Sequence, residues 1–332
     1  MRLLVLGGSV FLGRAVTDAA LDKGHAVTHF HRGRSGPTDA RVETVLGDRG
    51  ADLARLEPRR FDAVVDTSGY LPQMVRRSAQ HLHDRIGRYL FVSSVSVYER
   101  FDHHGVNEDD AVAAPLDPVP DAMTWDQYGA LKAMCEAEAR EAFGERALIV
   151  RPGLIVGPHD PTDRFTYWAH RVALGGRVAA PVRPGLPIQY IDVRDLAEWM
   201  VASLERGASG TINASGMPGT ATMGELLDTC RHASGSDARF EWMDAAFLAQ
   251  HGVRPWTQMP LQVPEDDPLM KGFASVSVAR ALAAGLRFRP QAQTVADTLA
   301  WSRIRAPDHS WKAGLGADEE RSLLAKWDGR NR

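Results

Sequence analysis

The first twenty residues leave this chain little freedom in how to begin folding. Arg2-Leu-Leu-Val-Leu6 is a short apolar run that ends in Gly7-Gly8-Ser9-Val10-Phe11-Leu12-Gly13, after which Ala15, Val16, Ala19, Ala20 and Leu21 recur at helical spacing. A strand that passes through a tight glycine turn into a helix aims unpaired backbone N–H groups at one point, and that point suits a pyrophosphate. A second apolar strand over residues 26–30 follows at the distance a parallel neighbour requires, so the opening reads as a βαβ unit. Val10 occupies the place of an expected middle glycine. Its side chain must turn away from the ligand, or the loop must take another path. A glycine turn alone is weak evidence, since doubly wound proteins without a nucleotide carry such turns too.

The residues after the second strand decide which dinucleotide fits. A carboxylate there would accept hydrogen bonds from a ribose 2′-hydroxyl, but this chain has His31-Arg32-Gly33-Arg34. A guanidinium can fork onto a 2′-phosphate, so Arg32 favours NADP(H) over NAD(H), unless it is merely an exposed loop cation. A third strand, 42–46, ends in Gly47-Asp48-Arg49, where Asp48 could meet an adenine amino group or cap a helix over 51–56. A fourth, 61–66, runs into the small residues Thr67-Ser68-Gly69, and Pro72 opens a helix to 86. The fifth, 89–94, delivers Ser93 and Ser94 to the carboxyl edge of the sheet, where ligands bind in open parallel sheets. A polar, proline-containing loop over 99–123 is long enough to be a functional loop or lid. A helix over 125–143 and a sixth strand over 146–150 complete the pattern.

The helix over 125–143 carries Tyr128 and Lys132. The chain has five lysines against 34 arginines, so a lysine one helical turn beyond a tyrosine marks a position where a compact, titratable ammonium is wanted. Without the rest of the pattern, a half-buried phenol with a solvated ammonium would be the simpler explanation.

The net charge of −3 and the short, acid-interspersed arginine stretches argue against nucleic acid as a partner. The two cysteines, Cys135 and Cys230, are expected to be reduced thiols. No apolar run reaches membrane-spanning length, and the first strand begins at Arg2, leaving no room for a signal peptide. A soluble cytoplasmic protein, with no membrane partner and no metal, is the expectation. The anticipated organisation is a dinucleotide-binding domain over 1–158, with 187–206 returning to it. A substrate lobe takes 159–186 and 207–305, and 306–332 forms a tail with a short helix.

Together these motifs resemble the short-chain dehydrogenase/reductase superfamily in its extended, epimerase-like branch. The residues that carry the likeness are Gly7 to Gly13, Asp48, Phe91-Val-Ser-Ser-Val-Ser-Val-Tyr98, Tyr128-Gly-Ala-Leu-Lys132 with Glu136, Arg151-Pro-Gly153, Gly157-Pro158 and Tyr190-Ile-Asp-Val-Arg-Asp195. The turn with Val10 is similar to a side branch that includes chloroplast proteins described as binding RNA. The resemblance implies a Rossmann-type doubly wound parallel sheet with a smaller, discontinuous C-terminal lobe. It implies Ser94, Tyr128 and Lys132 as catalytic residues. It implies a cofactor site built from Gly7, Ser9, Phe11, Leu12, Gly13, Arg32, Asp48, Arg49, Ser68, Ser93, Tyr128, Lys132 and Pro152. A homodimer through the helices over 72–86 and 125–143 is a further implication.

In this scheme Lys132 and an oxidised nicotinamide lower the Tyr128 pKa, and the phenol exchanges a proton with a substrate oxygen that Ser94 positions. Nucleotide-sugar enzymes of this family place an asparagine where Leu154 stands, which speaks against a sugar-nucleotide substrate, although Arg164 or Arg183 could grip one. Phe165, Tyr167, Trp168, His170, Trp256 and Met259 suggest an apolar pocket, although such aromatics are more often simply lobe core. The expected function is therefore an NADP(H)-dependent reductase or dehydrogenase of a small carbonyl or secondary alcohol. The alternatives are an NAD-dependent epimerase or dehydratase of a sugar-type substrate, and a non-enzymatic cofactor-binding or RNA-associated protein.

Overall fold

A computed structural model describes residues 1–34, 39–306 and 308–330. Pro307 and the last two residues of the expected tail lie outside the described residues. The chain opens with β1 (Arg2–Leu6), α1 (Phe11–Asp22), β2 (Ala26–His31), β3 (Glu43–Leu46), β4 (Phe61–Asp66), α2 (Pro72–Leu82) and β5 (Ile86–Val92). It continues through α3 (Tyr128–Phe143), β6 (Ala147–Pro152), β7 (Leu154–Val156), α4 (Thr166–Ala173), β8 (Arg177–Pro181), β9 (Tyr190–Asp192), α5 (Val193–Glu205) and β10 (Gly210–Ala214). It ends with α6 (Met223–Ser234), β11 (Arg239–Met243), α7 (Ala245–Gln250), α8 (Ala279–Ala283), α9 (Gln291–Arg303) and α10 (Ala317–Arg330).

Seven strands form one parallel sheet in the order β10-β6-β5-β4-β1-β2-β3. Alternate residues of β1 explain why the run is apolar throughout. Leu3 and Val5 pack with Val16 of α1 and Leu196 and Met200 of α5, whereas Leu4 and Leu6 pack on the other face with Val75 and Leu82 of α2 and Ala139 of α3. The chain winds outward from β1 to β3 in one direction and from β4 to β10 in the other. This is the doubly wound Rossmann topology, and its direction reverses between β1 and β4, where the strand ends leave a crevice.

A separate core gathers Phe165, Trp168, Leu226, Leu227, Met243 and Met259 around α4, α6 and the two-stranded β8/β11 sheet. Phe165, Trp168 and Met259 are thus lobe core, and Tyr167, buried in the same core, also lines a cavity with His170 and Trp311. The return to the main domain is wider than 187–206: β10 pairs with β6, and Ala281 and Leu286 join the sheet's own core. The tail docks back onto the lobe, burying Leu323 of α10.

Local differences have local causes. The helix expected over 51–56 is only a 3₁₀ turn at Leu53–Leu56, because Pro58 follows and leaves no length for another turn. α2 stops at Leu82 so that β5 can begin at Ile86 and pair with Phe61. The long loop after β5 is not free along its length. Phe101 N–H bonds to Leu269 O, Gly105 N–H to Ser275 O and Ser277 N–H to Val106 O, so its first half is sewn to the segment after α7.

Candidate functional site

The crevice between β1 and β4 opens into a cleft of about 590 Å³. Every cofactor or catalytic residue expected from the sequence lines it: Gly7, Ser9, Phe11, Leu12 and Gly13 from the turn, Arg32, Asp48 and Arg49, then Ser68, Ser93, Ser94, Tyr128, Lys132 and Pro152. Lining residues not anticipated include Tyr70, Met74, Gly153, Ile155 and Pro161. The signal for Tyr70 and Gly153 was their place just after strands already assigned to the carboxyl edge, whereas Met74 lies within α2 and gave none.

The turn after β1 is a backbone cradle. Gly7 has φ +111°, and a Cβ added there would sit 2.5 Å from Thr67 Oγ1; one added to Gly13 would meet Gly8 Cα at 2.9 Å. α1 begins without a side-chain cap and without an acidic residue in its first turn, so its terminal N–H groups remain open to an anion. The Val10 question resolves through the path of the loop: Val10 is extended, its side chain is 40% exposed, and the neighbouring Phe11 takes φ +39°. A dinucleotide fits this donor set.

Asp48 turns inward, its Oδ1 accepting from Gly50 N–H at 2.7 Å, which makes it a turn cap. Arg49 forks onto Asp66 at 2.8 and 2.7 Å, and Tyr89 donates to the same carboxylate at 2.6 Å. This buried cluster supports the floor of the cleft, because Asp66 also accepts from Ser68 N–H. Arg32 and Arg34 are exposed at the rim and, among the described residues, make no hydrogen bond or ion pair.

Glycine also explains how Tyr128 reaches Ser94. A Cβ on Gly129 would sit 2.1 Å from Ser96 O, so only glycine lets α3 press against the turn that follows β5. Ser94 is fixed in that turn, its Oγ accepting from Ser96 N–H and donating to Ser96 Oγ, both at 3.1 Å. Ser93 Oγ is buried and has no partner among the described residues. Burial pushes the Tyr128 phenol up to about 12, with the neighbouring Ser94 hydroxyl pulling the other way. The lowering expected from Lys132 is absent. The Lys132 ammonium, 3% exposed, donates instead to Gly69 O and Val92 O, each at 2.7 Å, and lies 4.2 Å from the Phe91 ring centre. Burial lowers its own pKa to about 8. Two of its three protons are engaged, leaving one for a ligand. Cys135, on the same helix, is a buried free thiol pushed up to about 12 by burial, and Cys230 is likewise free and buried.

Two substrate arguments change. Leu154 packs against the lobe core, while its neighbours Gly153 and Ile155 line the cleft, so the absence of an asparagine there carries no weight against a sugar nucleotide. Arg183 is tied to Glu265 through Nε at 3.0 Å, whereas Arg164 has no such partner among the described residues. No described helix is long and apolar enough to cross a membrane.

The sequence model of the NAD dependent epimerase/dehydratase family matches residues 73–215. Among curated proteins, the chain is 26% identical over 257 residues to the chloroplast stem-loop binding protein of 41 kDa b from Arabidopsis thaliana. That match covers 70% of this chain and 63% of the relative, so the chain spans less than two thirds of that protein's length. Among solved structures, a putative epimerase from Burkholderia cenocepacia J2315 is 19% identical with a TM-score of 0.68, covering 92% of this chain and 98% of the other. UDP-glucuronic acid 4-epimerase from Bacillus cereus, solved in complex with NAD, is 16% identical with a TM-score of 0.64 and coverages of 91% and 99%. At these identities the solved structures establish a shared fold.

Proposed function

We propose that this chain, which belongs to the extended, epimerase-like short-chain dehydrogenase/reductases, is a nicotinamide-dependent enzyme acting on a secondary alcohol of a sugar-type substrate, with epimerisation or dehydration as the outcome rather than net redox. The observation that carries this reading is the convergence of Ser94, Tyr128 and Lys132 on one cleft with an uncapped helix N-terminus and a glycine cradle. The cradle and the N-terminus of α1 would hold the pyrophosphate, and the free proton of Lys132 with the unpartnered Ser93 Oγ would hold the nicotinamide half. When bound, the nicotinamide supplies hydride acceptance and return. Tyr128 takes the proton from the substrate hydroxyl or gives it back, and Ser94 Oγ fixes that oxygen by a hydrogen bond. The family match over 73–215 favours the epimerase or dehydratase class over the reductase.

A second reading, an NADP(H)-dependent reductase, is favoured by one observation: Arg32 and Arg34, unpaired among the described residues, stand at the rim where a 2′-phosphate would lie. Against it, structural neighbours are complexes with NAD. Incubation with UDP-glucose and UDP-glucuronic acid, with sugar analysis and reduced-nicotinamide absorbance followed together, tests both. Stereochemical change without net absorbance change, abolished in Tyr128→Phe, supports the first. Steady consumption of NADPH with a carbonyl substrate and no epimerisation replaces it with the second.

A further inference from the structure

Of the eight tryptophans, one is left in water. Trp125 is 78% exposed, whereas Trp168 and Trp199 are buried and the other five are partly covered. Its ring contact among the described residues is the Tyr128 phenol, 5.7 Å away between ring centres with the planes 53° apart. The turn that presents it is fixed by hydrogen bonds. Gln127 N–H donates to Thr124 O at 3.2 Å, Thr124 Oγ1 to Gln127 Oε1 at 2.8 Å, and Leu131 N–H to Gln127 O at 3.0 Å. A single exposed apolar side chain is ordinary on a protein surface, so exposure alone says little. What sets this indole apart is a second ring against the same phenol. Tyr70, also exposed, lies 6.5 Å from the Tyr128 ring centre, and Lys132 Nζ stands 5.5 Å from its face.

Tyr70 and Tyr128 line the cleft and Trp125 does not, so the three rings lead from the cleft out onto the surface. The glycine cradle and the inward ammonium of Lys132 suit the interior to a cofactor. A substrate oxygen that meets Tyr128 must then arrive from the open side, where these rings are uncovered. The stretch 101–131, which carries Trp125, has seven carboxylates and no lysine or arginine in a chain otherwise rich in arginine. The segment around the indole therefore offers no cation to an anionic group. The negative face of an aromatic ring is matched instead by the weakly positive C–H groups of an uncharged ring, and an indole supplies a large area for that contact at little cost in side-chain entropy.

We propose that Trp125 and Tyr70 bind the substrate's sugar ring, Trp125 stacking on the apolar C–H face of the ring that carries the reacting carbon and Tyr70 closing its edge. The inference rests on the proposed function for the sugar class. It selects a closed ring with a continuous C–H face over an open-chain carbonyl compound, and it leaves the ring hydroxyls free for Tyr128 and Ser94. Both are specificity residues and move no proton.

The test uses the full chain saturated with NAD⁺, followed by acrylamide quenching of tryptophan fluorescence and by calorimetry. Trp125→Phe should remove the most readily quenched part of the emission. In the wild-type chain, UDP-glucose or UDP-glucuronic acid should protect that part, and UDP should not. Trp125→Ala should weaken the protecting sugar nucleotide at least about tenfold and leave NAD⁺ affinity within about twofold, with smaller losses in Trp125→Phe and Tyr70→Leu. Protection by UDP alone puts the nucleotide on the indole and overturns the assignment. So does a sugar nucleotide that binds while the indole stays quenchable. Reduced turnover in Trp125→Ala with unchanged sugar affinity also overturns it, because that result marks a residue that only shields Tyr128 from water. Binding of neither sugar nucleotide overturns the platform together with the sugar substrate. Protection without turnover sinks the proposed function and leaves the platform standing, and if NAD⁺ itself fails to bind, the same titrations on the cofactor-free chain decide Trp125.

Discussion

The arrangement around Tyr128 makes a sharp prediction about where its proton can leave. Burial raises the phenol to about 12, so in the free protein only about one in 10⁵ is ionised at neutral pH. Lys132 gives little help, since its ammonium faces the carbonyls of Gly69 and Val92. The oxidised nicotinamide carries a positive charge, and one unit charge about 4 Å away at an effective dielectric of about 20 is worth about 4 kcal/mol, or about three pKa units. Binding of NAD⁺ should therefore bring the Tyr128 titration down to about 9. NADH, whose reduced ring carries no charge, should leave it close to where it is in the free chain. The measurement is the ultraviolet band of tyrosinate, taken as wild type minus Tyr128→Phe across pH 7 to about 10.5 with no cofactor, NAD⁺ and NADH. The background is quiet, because burial also raises Tyr70, Tyr89, Tyr98, Tyr167 and Tyr190. An identical titration with and without NAD⁺ would refute the argument, and so would a band that survives in Tyr128→Phe.

Three further outcomes follow from the geometry. Asp66→Asn leaves the Arg49 guanidinium without its buried partner and should lower unfolding free energy by about 3–5 kcal/mol, read by denaturant titration. His29, whose pKa burial lowers to about 4, binds its proton more readily when unfolded. The unfolded chain therefore gains protons first as pH falls from about 6.5 to about 4, and stability present above 6.5 should decline by about 3 kcal/mol across that window. His29→Gln should flatten that slope in pH-dependent unfolding curves. Arg32→Ala should reduce NADPH affinity by about tenfold and leave NADH affinity unchanged if a 2′-phosphate lies there, and equal effects on both would remove the NADP(H) reading.

Much of the fold was legible because its causes are local. A stretch of strand buried on both faces must be apolar, and residues 3–6 of β1 and 89–92 of β5 are; a turn that clears Thr67 Oγ1 or Gly8 Cα must be glycine, and Gly7 and Gly13 are. Gly129 could have been read the same way, as the residue that brings Tyr128 against the Ser94 turn, because it stands beside the tyrosine in the sequence. What was not legible depends on partners distant along the chain. Nothing in the loop over 99–113 announces that residues 269–277 will hold it, and nothing near Arg183 or Arg164 says which of them meets a carboxylate. Glu265 decides the first and its absence decides the second. The aromatic residues of the lobe were ambiguous for the same reason: Trp168 and Trp256 have identical chemistry, but one lies inside the core and the other forms a wall that a cation occupies.

The scarcity of lysine, set against the lysine at 132, reported a real constraint. Two carbonyl oxygens at 2.7 Å and a phenyl face at 4.2 Å leave room for an ammonium and none for a planar guanidinium, so arginine is excluded there on shape. That same fit directs the charge of Lys132 into the backbone after β4 and β5, tying Gly69 to Val92 across the crevice. The ammonium therefore shapes the walls between which a nicotinamide would lie, and holds one proton ready for it, instead of acting on the phenol beside it. Activation of Tyr128 is left to the ligand. On the proposed function, Tyr128 would ionise more readily once an oxidised nicotinamide is in place, which would couple substrate oxidation to cofactor occupancy through electrostatics.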